Sequence, residues 1–134
     1  MLLLGTLSLA VVSCGDSTGP ANGGCDGTVD VTITSGTSPT FSWNPACTVG
    51  LLWIQDLTET DPTKQLVWSI QAEQNLIKPP VQYGVTPANA LQTQAPLSLI
   101  GQGGDTPAHL YSFNISVYAS DGTLNAFALQ NFTP

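Results

Sequence analysis

The sequence predicts an all-β fold, a two-sheet sandwich of about seven short strands. Three observations carry that prediction. Apolar residues recur with period two, which places them on one face of an extended chain. Clusters of Gly, Pro, Asn, Asp and Ser interrupt the apolar runs about every 8–12 residues. No segment after residue 25 sustains a helical period beyond a single turn near "TPANAL" (86–91), where Pro87 suits a first helical position.

The elements follow in order. "TVDVTITSG" sets Val29, Val31 and Ile33 on one face and Asp30, Thr32 and Thr34 on the other, a half-buried strand. "SGTSP" (35–39) is turn chemistry. "TFSWNP" (40–45) is the second strand, with Phe41 and Trp43 on one face and Pro45 as its stop. "VGLLWIQDLT" (49–58) and "QLVWSIQA" (65–72) are the third and fourth, paired as a hairpin around "ETDPTK" (59–64). "LIKPPVQYGVTP" (76–87) has too many prolines for a central strand and reads as an edge or a strapping loop. "APLSLIG" (95–101) reads as a short strand and "QGGDTP" (102–107) as a loop. "HLYSFNISVYA" (109–119) alternates, with Tyr111, Phe113, Ile115 and Val117 on one face. "SDG" (120–122) is a hairpin signal, and "TLNAFALQNF" (123–132) is the last strand.

Two stretches are motif-like. "PTFSWNPA" resembles the second strand of a fibronectin type III domain, with its buried Trp and Pro-containing exit, and "FNISVYASDG" resembles that family's sixth strand. The resemblance implies an immunoglobulin-like, fibronectin type III-like sandwich over residues 27–134. The third strand departs from the family in carrying Leu52 and Ile54, and the 76–108 region is longer and richer in Pro and Gly. A core built from the inward faces of both sheets should bury Trp43 against Ile115 or Val117.

The start of the chain has a different character. "MLLLGTLSLAVVS" (1–13) is apolar or small throughout. As a helix it would span about 20 Å, short of the roughly 30 Å hydrocarbon core, so it has the length of a signal-peptide apolar region. It lacks a positively charged beginning, which a start codon further upstream would explain. Val11, Val12 and Ser13 before Cys14 resemble a bacterial lipobox. The resemblance implies cleavage before Cys14, lipid on its thiol and acylation of the new amine. One acyl chain holds a protein only reversibly, and two or three on one residue anchor it durably. Gly15 after the cysteine favours the outer membrane or cell surface over retention in the inner membrane. "GDSTGPANGG" (15–24) has no large apolar side chain and reads as a tether, so residues 14–26 form the lipidated cysteine and its flexible spacer.

With Cys14 assigned to lipid, Cys25 and Cys47 are an even pair in an exported chain, which is disulfide context. The expected strand directions agree. Cys25 precedes the first strand and Cys47 follows the second, so both fall at one end of the sandwich. A zinc site lacks ligands, because His109 is the only histidine.

Composition excludes some functions. The net charge is −7, with no arginine and only Lys64 and Lys78 as basic side chains. Nucleic-acid binding needs cations to displace counterions from phosphates, and docking of the protein surface on anionic lipid needs them equally. No catalytic constellation is visible. Ser112, His109 and Asp105 could be written as a triad, but no local signature supports it. Asp56, Glu59 and Asp61 are three carboxylates that could contribute to a Ca²⁺ site, although a solvated hairpin tip accounts for them. Trp53 and Trp68, on the third and fourth strands, would form an aromatic platform if both faced outward; the alternative is that each covers the core or the 76–87 strap. With Leu52 and Ile54 facing the core, Trp53 faces out, whereas Trp68 shares a face with Leu66 and Ile70. The sequence therefore leads to a non-catalytic, cofactor-free lipoprotein of the cell envelope. It would be held to the membrane by its lipid and display a binding or structural module for a protein or polysaccharide. The alternative is a carbohydrate-binding module using Trp53, Tyr83 or Trp68.

Overall fold

The structure, a computed structural model, describes residues 21–134. The expected leader (1–13), Cys14 and residues 15–20 of the tether lie outside them. Eight strands form two sheets: β1 (Asp30–Ile33), β2 (Thr40–Asn44), β3 (Leu51–Asp56), β4 (Leu66–Gln71), β5 (Val81–Gln82), β6 (Leu91–Gln94), β7 (Tyr111–Tyr118) and β8 (Leu124–Phe132). A three-stranded sheet of order β1-β2-β5 packs on a five-stranded sheet of order β6-β4-β3-β7-β8. Every named strand pairing is antiparallel. No α-helix occurs among the described residues, and the one helical element is a 3-10 turn at Ala21–Gly23.

The period-two pattern does the sorting. In β3, Leu52 and Ile54 are fully buried and Trp53 is half-buried on the opposite face. In β7, Tyr111, Phe113, Ile115 and Val117 all enter the core. The two sheets meet through aromatic rings. Phe41 of β2 stacks on Phe113 of β7 at 4.7 Å and meets Phe132 of β8 edge-on at 5.6 Å. Trp43 is buried, its ring 6.2 Å from that of Phe113, in the same cluster as Ile115 and Val117. Each such ring pair adds about 0.5–1.5 kcal/mol to the area it buries.

Two expectations for the 76–108 region are corrected, and a third, the edge or strap at 76–87, is met. The segment 95–101 forms no strand, and the strand lies earlier, at β6, on the edge beside β4. Pro96 lacks an N–H, the Leu97 N–H donates to the Val67 carbonyl, and the Ile100 N–H donates to the Tyr111 hydroxyl. At 86–91 the chain makes a turn, not a helical one, with the Ala90 N–H on the Pro87 carbonyl. The strapping segment supplies the two-residue β5 on the edge of the smaller sheet, preceded by Pro79 and Pro80.

The tether also ends earlier than its composition suggests. Gly24 and Cys25 are buried, and Gly24 bridges to Thr48. Asn75 ties this entry point down. Its Nδ2 donates to the carbonyls of Ala21 and Tyr118, and its Oδ1 accepts the Tyr118 N–H at 2.7 Å. Gly24 permits the approach, because a Cβ there would stand 2.4 Å from Asn75 Nδ2. A glycine-rich composition marks flexibility only where nothing claims the backbone, and here a buried amide claims it.

Candidate functional site

Cys25 and Cys47 form a disulfide, with their Cα atoms 4.8 Å apart, inside the range such a bond allows. It sits where the chain enters the sandwich. The Cys25 N–H donates to the Thr48 carbonyl, and the Trp43 indole N–H donates to the Cys47 carbonyl at 2.9 Å. The bond, the first core tryptophan and Asn75 thus secure one end of the domain.

The aromatic platform is not assembled. Trp68 is completely buried and meets Tyr83 edge-on at 5.2 Å. Its indole N–H has no hydrogen-bond partner, a cost the packing absorbs. Tyr83 is buried too, and its hydroxyl donates to the Leu97 carbonyl at 2.6 Å. Burial pushes its phenol well above the ordinary tyrosine range, and the nearby Tyr111 adds to the effect. Trp68 and Tyr83 therefore serve the core under the strap and offer no face to a ligand. The reason is register: Trp68 pairs with Ile54 across β3 and β4, so both side chains point inward.

Trp53 alone of the three faces outward. It lines a shallow groove of about 200 Å³ with Asn114, Ala126, Phe127, Ala128 and Leu129, on the outer face of the larger sheet. The neighbours on this face are Ser112, Asn114 and Ser116 of β7, polar residues covered by flanking side chains. Asn114 donates to the Ser112 hydroxyl at 2.9 Å. Across the five strands of this sheet the one charged residue is Asp56. Sequence reasoning found Trp53 but missed the groove, because Leu129 comes into register with it only through Asn114 of β7.

The acidic cluster is used internally. Asp56 is buried; its Oδ1 accepts the N–H groups of Thr58 and Glu59, and its Oδ2 bonds His109 Nδ1 at 2.7 Å. The Glu59 carboxylate accepts the Asp61 N–H. Asp61 in turn accepts the Thr63 hydroxyl and N–H, which hold its carboxyl below the usual range. No group of three or more His, Cys, Asp or Glu side chains placed to hold a metal ion occurs among the described residues. The imagined triad is also redistributed. The carboxylate at His109 belongs to Asp56 and not Asp105, and Ser112 is buried on β7 beneath Asn114. Asp56 and His109 instead pin the 101–110 loop to the end of β3, together with the Leu110 N–H on the Thr58 hydroxyl. No family model, curated protein or solved structure matches the chain.

Proposed function

We propose that this protein is a non-catalytic lipoprotein of a bacterial cell envelope, anchored through lipid on Cys14, that displays an immunoglobulin-like sandwich as a binding or structural module. The Cys25–Cys47 bond carries this reading. It uses two of the three cysteines and suits an oxidising, extracytoplasmic compartment. It leaves Cys14 directly after the Val-Val-Ser run that resembles a lipobox. The strand order supports the sandwich class. Neighbours β1-β2-β5 and β3-β7-β8 correspond to strands A-B-E and C-F-G of immunoglobulin-like domains, with β4 and β6 added beside β3 at the edge. The test is expression of the full chain in a bacterium. The wild type should partition into detergent with an acylated, blocked N-terminus, and Cys14→Ser should be released from membranes. Equal solubility of the two would refute the anchor.

A second reading, recognition of a neutral polysaccharide, has one observation in its favour. The outward Trp53 lies on an uncharged sheet face rich in amide and hydroxyl side chains, and an aromatic face beside such groups suits a sugar ring. Iodide quenching of tryptophan fluorescence should fall when a bound glycan covers Trp53, and Trp53→Ala should abolish the change. Quenching unaffected by a panel of neutral glycans would remove this reading.

A further inference from the structure

The described chain starts at Ala21, whose carbonyl accepts an N–H of the Asn75 side chain at 2.8 Å. Leu76, the residue after Asn75, lines a groove of about 280 Å³ with Ala72, Glu73, Asn89, Ala90 and Leu91. The groove therefore lies at the end of the sandwich where the chain enters. Register agrees: Leu91 pairs with Gln71 of β4, and Gln71 with Leu51 at the start of β3. The leucines of the groove stand in water. Leu91 is 72% exposed, more than any other large apolar side chain among the described residues, and Leu76 is 40% exposed. Glu73 is the one charged residue lining the groove, and neither ion pair among the described residues uses it.

We propose that this groove rests on the bilayer that holds the protein, as a contact for zwitterionic phospholipid; the proposal builds on the lipid-anchor reading. Reach is the first observation that selects this occupant. Ala21 follows Cys14 by seven residues. An extended chain covers at most about 3.3–3.6 Å per residue, which keeps the entry end within about 25 Å of the anchored cysteine. A surface tethered so closely meets the groove at high effective concentration, so a weak apolar contact is enough. Leu57, similarly exposed, lies past the other end of the six-residue β3, about 20 Å further on by the rise of an extended chain. Charge is the second. A zwitterionic lipid presents an ammonium above its acyl chains, so Leu76 and Leu91 can enter the apolar boundary while the Glu73 carboxylate meets the ammonium. Anionic lipid suits this end poorly. Asp26 follows Cys25, Asp30 pairs with Asn44 at the end of β2, and Asp121 lies in the turn after β7. With Glu73 they outnumber Lys78, which follows the bridge of Ile77 to Val49. A negative membrane surface repels such carboxylates as it attracts lysines.

The test uses the full chain as a bacterium exports it, reconstituted in phosphatidylcholine vesicles, with a nitroxide label on Leu91→Cys or, as the control, on Leu57→Cys. Cys25 and Cys47 are bonded to each other, and on the anchor reading Cys14 carries lipid, so the label meets only the added thiol. A neutral nickel chelate in the water should broaden the spectrum at position 57 and lose most of that effect at position 91. Leu76→Glu, with the label kept at 91, should return the chelate's access, and so should phosphatidylglycerol added to the vesicles at low salt. Flotation with the vesicles reads the anchor separately. A chain that floats while the chelate reaches 91 as freely as 57 overturns the proposal and leaves the anchor standing. Equal shielding of both positions does the same, as does shielding at 91 that neither Leu76→Glu nor phosphatidylglycerol changes. A chain that fails to float overturns the anchor and this contact with it.

Discussion

Replacing Trp43 by Ala should bring the domain close to unfolding, whereas replacing Trp53 should not, and the difference follows from which face of its strand each ring occupies. Trp43 is 3% exposed, contacts the Phe113 ring and donates its indole N–H to the Cys47 carbonyl. Truncating a large buried aromatic costs about 3–5 kcal/mol, because packing is lost and a cavity remains. Loss of the hydrogen bond adds about 1 kcal/mol. Small domains hold only about 5–15 kcal/mol in total, so Trp43→Ala should be marginally folded at best. Trp43→Phe keeps much of the ring and loses the hydrogen bond, and should cost about 1–2 kcal/mol. Trp53 is half-buried over a groove on the outer face, and its truncation creates no enclosed cavity. Trp53→Ala should cost no more than about 1 kcal/mol. Urea denaturation followed by far-ultraviolet circular dichroism, with the disulfide intact, would measure all three. Equal losses for the two alanine variants would show that β3 or β2 has been placed in the wrong register. The outward face of Trp53 would then go with it.

Asn75→Ala should cost about 3 kcal/mol, since it removes a buried amide that serves the Ala21 carbonyl and both backbone groups of Tyr118. Limited proteolysis should then cut faster just before Cys25, and an unchanged cleavage rate would mean that the disulfide alone secures the entry point. Stability should also fall above pH 10. Burial raises the phenols of Tyr83 and Tyr111. An unfolded tyrosine releases its proton near pH 10 while the folded chain still holds its own, so the folded state loses ground as pH rises. Alkaline unfolding curves checked against absorbance at 295 nm would test this, and Tyr83→Phe should reduce the slope. Reversible titration of every tyrosine near pH 10 in the folded protein would contradict the burial.

Strand existence was written in local alternation, which is why β1, β2, β3, β4, β7 and β8 could be read from the sequence. Side chains at i and i+2 share a face wherever the backbone is extended, and Leu52 and Ile54, or Phe113 and Ile115, announce that face without help from the rest of the chain. The Cys25–Cys47 bond was legible for a related reason, since strand directions alone place both residues at one end of the sandwich. The 76–108 region was not legible. Its prolines say only where a ladder cannot continue, and whether a segment such as 91–94 or 95–101 becomes the edge strand depends on which of them β4 can reach. The candidate site divides in the same way. Trp53 faces outward by alternation alone. Trp68 faces inward through its pairing with Ile54, and Tyr83 was lost as a ligand contact because it packs edge-on against Trp68, a contact that no local pattern announces. The groove beside Trp53 and the pairing of Asp56 with His109 were likewise decided by tertiary structure. Each depends on which strands become neighbours, and neighbourhood in a sheet is settled by the packing of the whole core.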